Sequence, residues 1–368
     1  MAMKVKKCKV CGFCIPLARF LRFNDNGTIT ERLMPDFRAV LIEADFITEV
    51  FRRIENDLGV SVQHIVFEAQ RAASKAVIDS NIKGILAGAR LGAAKNITVN
   101  MFCQVAIWTG QAYAETVVYK PKKYGEAILR NPFNRDIMAA VIVGAFESLE
   151  KMPFKHSWVN KRGEELILVR PDTARPPLAD RIKIDIVKPK PGNRSFERCP
   201  ECGVPIGLSG LDWQEDKGII MEMRRGVRMV FLDSYVPQVV FQELTREFGE
   251  LVYPTVVDAM KNFSLKWLKA EYLDRDMELF ANREKLYAEV LENLALRGQG
   301  NPVSFSSDSE RMTVTVENPY NPHLLAGHLA AMYELGEGRR ANVDWQFLDE
   351  ATIHYTLTPR RSSQVMAV

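Results

Sequence analysis

The chain says nearly the same thing twice. Cys8 and Cys11 return as Cys199 and Cys202 at a shift of 191, and Gly12, Gly27 and Ile29 meet Gly203, Gly218 and Ile220 at that same shift. The register then slips by one residue. At a shift of 190, Arg38, Val40, Phe51, Gly59, Val62, Val66, Ala69 and Ser74 meet Arg228, Val230, Phe241, Gly249, Val252, Val256, Ala259 and Ser264. Farther on, NPFN from Asn131 matches NPYN from Asn318 at 187, trailed by Ala139 with Ala326 and Glu147 with Glu334. A repeat this long is a whole domain rather than a solenoid unit, so each copy is expected to own a core. The expected boundaries are 1–171 for the first copy, 172–197 for a Pro-rich charged linker and 198–368 for the second copy. Two copies in one chain are expected to pack as a pseudo-twofold pair that imitates a homodimer.

Domains of roughly 170 residues bury a sufficient core without staples. Lys and Arg number 49 against 46 Asp and Glu, so charge points to no acidic partner. The basic runs KVKK, KPKK and KPKPGNR read as solvated turns, since no nucleic-acid recognition motif or aromatic stacking pattern accompanies them. MAMKVKK meets CKVCGFC with no apolar stretch between, so a secretory signal is not expected. The longest apolar run, MAAVIVGAF from Met138, is about half the length that spans a bilayer. The expected location is the cytoplasm, and there paired cysteines suggest metal or redox chemistry rather than disulfides.

Each copy opens on a cysteine knuckle, then a turn at Gly27 or Gly218 and a strand, RAVLI or RMVFL. A helix follows with Phe46, Val50, Ile54 and Leu58, or Val236, Val240 and Leu244, on one face, ending at Gly59 or Gly249. Two more helical regions precede a pair of strands, AETVVYK with GEAILRN or PVSFS with RMTVTVEN. Pro132 or Pro319 then marks the exit to a long helix, and a closing strand pair completes the copy. The expected class is α+β: two homologous domains, each a helical layer on a four-stranded, mainly antiparallel sheet, with N-terminal zinc-knuckle hairpins. A short strand, RIKIDIV, is expected within the linker.

RMVFLDSYVPQVVFQELTREFG, then VTVENPYNPHLLAGHLAAMYE, RANVDWQF and ATIHYTLT, resemble the 4-vinyl reductase-type small-molecule-binding domain. Its wider superfamily includes haem-based nitric oxide sensors and vesicle-tethering subunits. The family's closing hairpin often carries cysteines; here the positions hold Trp345, Gln346, Ile353 and His354, a departure from any metal site in that sheet. The resemblance implies a pocket between helices and sheet for a hydrophobic or aromatic molecule, in a sensor or carrier whose output needs a separate downstream protein. Met101, Phe102 and Trp108 in the first copy, and Met260, Phe263 and Trp267 in the second, supply large adaptable apolar surface for it, although such residues are also ordinary core. The first copy is the favoured binder, because ILAGARLGAAKN and MFCQVAIWTG are rich in small and apolar residues.

C-P-E-C-G at Cys199 has the form of a zinc knuckle, and C-K-V-C-G at Cys8 is its counterpart. Two thiolate pairs make one tetrahedral site, so Cys8, Cys11, Cys199 and Cys202 are the expected ligands of a single structural zinc. Cys14 keeps an alternative open: Cys8, Cys11 and Cys14 form part of an iron-sulfur run, which would serve a redox-active accessory enzyme. Cys103 reads as a buried thiol. His64, His328 and His354 lack a haem motif, and His323 and His328 lie off helical metal-pair spacing. Gly84, Gly88 and Gly92 read as a close-packing helix face rather than a phosphate loop. Glu43 with Asp233, and Glu147 with Glu334, read as helix-end or surface acids. No catalytic constellation is recognisable, which leaves an assembly scaffold without ligand as a further alternative.

Overall fold

The computed structural model describes residues 5–84, 94–161, 163–179, 181–184, 186–273 and 282–360, with side chains from 81 to 84 omitted. Gly88 and Gly92 lie outside the described residues. In chain order the first half contains α1 (Ile15–Phe20), β1 (Leu21–Phe23), β2 (Ile29–Glu31), β3 (Arg38–Glu43), α2 (Phe46–Leu58), α3 (Gln63–Gly84), α4 (Ala94–Trp108), β4 (Tyr113–Lys120), β5 (Tyr124–Arg130), α5 (Arg135–Glu150), β6 (Phe154–Lys161) and β7 (Glu164–Pro171). The second half contains β8 (Leu211–Gln214), β9 (Ile219–Glu222), β10 (Val227–Asp233), α6 (Tyr235–Phe248), α7 (Val252–Leu268) with a π-helical turn Lys269–Leu273, α8 (Arg283–Leu296), β11 (Asn301–Ser307), β12 (Met312–Glu317), α9 (Pro322–Glu337), β13 (Ala341–Asp349) and β14 (Thr352–Pro359). The class is α+β, and every strand pairing is antiparallel.

Local chemistry accounts for the elements. In α2, Phe46, Ile47, Val50, Phe51 and Ile54 are buried at helical spacing, and Gly59 ends the helix at φ 69°. The NPFN and NPYN segments do two jobs. Asn131 and Asn318 take the left-handed conformation, at φ 49° and 52°, that turns the chain out of its strand. Asn134 and Asn321 then cap α5 and α9, each side chain accepting from two backbone N–H groups of the first turn. The short strand expected from RIKIDIV is not formed among the described residues; the Arg181 and Ile182 N–H groups turn back to the Leu178 carbonyl, and Ile182 and Ile184 pack on the core.

Three sheets result. Two are four-stranded, with matching orders β4-β5-β7-β6 and β11-β12-β14-β13. The third, β1-β2-β3-β10-β9-β8, is drawn equally from both halves and is sealed at its middle by β3 against β10. There Leu41 faces Phe231, its counterpart at the shift of 190, with Ala39 opposite Asp233 on one side and Glu43 opposite Met229 on the other. The pairing is thus self-complementary, as an isologous contact is.

The halves also exchange partners. Helix α2 packs on α7, while α6 packs on α3. The Leu41 N–H donates to the Arg297 carbonyl and the Phe231 N–H to the Thr109 carbonyl, both at 2.9 Å. Gln299 and Gln111 repeat the symmetry, their Nε2 groups donating to the carbonyls of Leu41 and Phe231. Each half therefore lays its opening strands and helix on the other half's sheet-and-helix body. Glu147, expected on a helix end or the surface, is buried, where it accepts from Arg71 and from the Phe154 N–H. An ion pair spanning two elements explains its burial.

Candidate functional site

Two features stand out, a cluster of thiols and an apolar cavity. The knuckles are built alike. In the first, Gly12 N–H donates to the Cys8 carbonyl and Cys8 N–H to the Phe13 carbonyl; in the second, Gly203 and Cys199 do the same with Cys199 and Val204. Gly12 and Gly203 sit at φ 76° and 74°, a conformation open to glycine at no steric cost. The two loops meet so that Cys8 Sγ is 3.6 Å from Cys199 Sγ and Cys11 Sγ is 3.4 Å from Cys202 Sγ. All four sulfurs lie within 4.8 Å of one another. Sulfurs about 2.3 Å from a tetrahedral ion stand about 3.8 Å apart, so the cluster has the dimensions of a one-metal site. An iron-sulfur cluster, with several irons between its ligands, needs a wider set.

Electrostatics within the cluster vary by position. Backbone N–H groups of Cys202 and Glu201 aimed at Cys199 pull that thiol down to about 7, against the opposing effect of burial. Burial pushes Cys11 and Cys202 upward. Cys14 stands outside the four: it is fully buried at the start of α1 and burial pushes it to about 12. Cys103, expected buried, is half-buried and 3.4 Å from the Thr116 hydroxyl.

The cavity measures about 380 Å³ and is lined by the first half together with Phe231, Leu232 and Asp233 of β10. Its walls come from α3 (Val77, Ile78), α4 (Met101, Phe102, Ala106, Trp108), β4, β5 and β7 (Ala114, Ala127, Val169) and α5 (Met138, Val141, Ile142). Small residues make the room. Gly125 is one of them, since a Cβ there would lie 2.3 Å from the Phe146 ring. One end is closed by the central sheet, through Leu21, Glu31, Ala39 and Phe231 to Asp233. Leu33, 69% exposed, stands at the rim.

Sequence reasoning thus led to Met101, Phe102 and Trp108, which the fold brings to one cavity wall. Met260, Phe263 and Trp267 are not part of it. Met260 and Phe263 are buried in the core, with the Phe263 ring meeting Phe46 at 6.3 Å and Trp267 at 6.4 Å. The acids Glu31 and Asp233 were missed as cavity residues. The available signal was the recurrence of Glu31 as Glu222 at the shift of 191.

Burial pushes Glu31 up to about 8, with the Asp233 charge adding to it, and burial pushes Asp233 up to about 6. Asp233 is half-buried, as is Glu31, and both line the cavity. Corresponding positions in the second half are arranged differently. There Glu222 and Glu43 are each 2.7 Å from the Arg225 guanidinium, and Arg297 lies 3.1 Å from Glu43. Among the histidines, His156 stacks on Phe67 and His323 on Tyr253, while His328 lies against the Ser264 hydroxyl and His354 against the Thr315 hydroxyl. No described helix is long and apolar enough to cross a membrane.

No protein-family model and no curated protein sequence matches the chain. Among solved structures, it is similar to the phenol-responsive sensory domain of the transcription activator PoxR with phenol, at 15% identity and a TM-score of 0.35, over 42% of this chain and 87% of that one. It is also similar to the Fe(II) unliganded H-NOX protein from K. algicida, at 10% identity and a TM-score of 0.27 over 36% and 77% of the two chains. A point mutant of that protein gives 11% and 0.25 over 34% and 73%.

Proposed function

We propose that the chain is a noncatalytic binding protein whose first half encloses a hydrophobic or aromatic small molecule, as a sensor or carrier. The observation that carries this reading is the cavity of about 380 Å³ with predominantly aliphatic and aromatic walls and a few polar groups, the size and chemistry of a small-ligand site. The weak fold likenesses add no weight to it. Met101, Phe102 and Trp108 are the proposed contact residues. The second half, with Met260 and Phe263 packed in its core, is the proposed support. The matching sheet orders and the self-complementary β3–β10 pairing support the inference that the halves are copies of one domain. A structural zinc on Cys8, Cys11, Cys199 and Cys202 would tie the copies together, and the sulfur spacing favours it over an iron-sulfur cluster.

The test is extraction of the purified protein with organic solvent, followed by titration with hydrophobic and aromatic compounds. A ligand that binds only the folded state raises its melting temperature. Replacing Ala127 by Phe should fill the space and abolish the shift while the protein still melts cooperatively. A broad panel with no shift would defeat the reading and leave the scaffold ahead. Metal analysis should find one zinc per chain, lost in Cys202→Ser; iron with sulfide and visible colour would overturn the zinc assignment.

A further inference from the structure

The cavity's charged lining has one sign. Glu31, Glu126 and Asp233 are its only ionisable acids or bases of the Asp, Glu, Lys, Arg and His types, so no cation faces it among the described residues. Among the described residues Glu31 has no hydrogen-bond or ion-pair partner for its carboxylate, and Asp233 has only the buried Tyr235 hydroxyl beside it. A buried carboxylate without a partner is costly, and such groups are ordinarily paired.

The second half displays the paired version. Glu222 corresponds to Glu31 at the shift of 191, and Glu43 to Asp233 at 190. In that half one guanidinium, Arg225, bridges both acids, and Arg297 adds a second cation to Glu43. At the shift of 191 the position of Arg225 holds Met34. The position of Arg297 holds Thr109, as the matching bonds to the Leu41 and Phe231 N–H groups establish. Both arginines are therefore replaced by uncharged residues, and both replacements line the cavity. The same acid pair that grips a cation of the chain in one half faces open space in the other.

We propose that the cavity takes an amphipathic amine: an apolar or aromatic body lies between α4, α5 and the β4–β5–β7 sheet, and a protonated amine head sits between Glu31 and Asp233. This rests on the binding role proposed above and names the chemical class of the ligand. Near neutrality Glu31, pushed up to about 8, keeps its proton while Asp233, at about 6, is ionised, leaving one negative charge, which a monocation matches. The head's N–H groups satisfy carboxylate oxygens that no cation of the chain reaches among the described residues, while the body covers the apolar walls.

The experiment compares matched probes on the full chain at neutral pH: octylamine against 1-octanol, and 2-phenylethylamine against 2-phenylethanol, by calorimetry and thermal shift. The amines should bind about tenfold or more tighter than the alcohols, the scale of a hydrogen bond to a charged group. Glu31→Gln combined with Asp233→Asn should erase that preference and leave alcohol binding in place. Met34→Arg is the second variant; it places a guanidinium where the other half has one and should block the amines while raising the melting temperature. Alcohols binding as tightly as amines, or an amine preference that survives in the double variant, would overturn the head-group assignment and leave the binding role standing. Failure of all four probes to bind would overturn the assignment for these bodies, and failure of the broad hydrophobic panel as well would remove the binding role with it.

Discussion

Glu43 and Asp233 stand at corresponding positions and carry opposite shifts. Burial pushes Glu43 up, but the Arg297 and Arg225 guanidiniums more than offset this and hold it at about 2. Asp233, with burial and no guanidinium, rises to about 6. Glu43 therefore contributes stability above its ordinary value that is lost as pH falls toward 2. Glu31 and Asp233 behave the other way: their contribution is full below their ordinary values and is lost as pH rises through about 6 and about 8. Ligand-free protein should thus melt lower at mildly alkaline pH than at mildly acidic pH, and Glu31→Gln with Asp233→Asn should flatten that slope; an unchanged slope in thermal melts would refute the assignment. Arg225→Met should cost about 3–5 kcal/mol in denaturant unfolding, since it leaves the buried Glu43 and Glu271 and the half-buried Glu222 with reduced compensation. The four cysteines were legible in the sequence because both pairs recur at one shift. The acids were not, because Glu31 and Asp233 are far apart in the chain and meet only across a sheet that joins the halves.

At the scale of elements, each opening hairpin docks through a glycine. Gly218, at φ 65°, lies so near β4 that a Cβ would be 1.9 Å from the Tyr113 nitrogen; Gly27, at φ 69°, holds the same relation to the Gly300 carbonyl at 2.4 Å. Neither obstacle is the end of a flexible side chain. Gly218→Ala should therefore cost about 2–5 kcal/mol, combining a left-handed residue with an overpacked backbone contact. Denaturant titration checks it: a loss well under about 1 kcal/mol would mean that the hairpin does not dock as described. The order of helices and strands, and the caps at NPFN and NPYN, could be read along the chain because their determinants are local. The exchange of α2 and α6 between bodies could not, since a helix's apolar stripe at Phe46, Val50 and Ile54 states that it is buried and not against what.

For the molecule as a whole, the exchange means that neither half is complete. Segments 1–171 and 198–368, expressed apart, should each be poorly folded or should pair with a second copy of themselves, while co-expression should yield a complex that survives purification. A cooperative melt from either segment as a monomer would count against this. The intact chain should unfold in a single transition, because the six-stranded sheet, the thiol cluster and the α2–α7 and α6–α3 packing all cross between halves. The repeat led to the expectation of a packed pair, but the way the pair is joined was not legible: no periodicity in the chain states that β3 pairs with β10 or that α2 and α6 cross to the other half.

That pairing is of the kind a symmetric dimer makes with itself, and a symmetric dimer must write every side chain twice. Had Arg225 arisen in such an assembly, it would have plugged both chambers at once, because one gene dictates both subunits. A single continuous chain escapes this constraint. It can keep the arginines on one side, where they lock the scaffold, and put Met34 and Thr109 on the other, where they leave room. Two matching sheets in one chain can thus differ at a single pair of positions, bridged by guanidiniums on one side and open on the other.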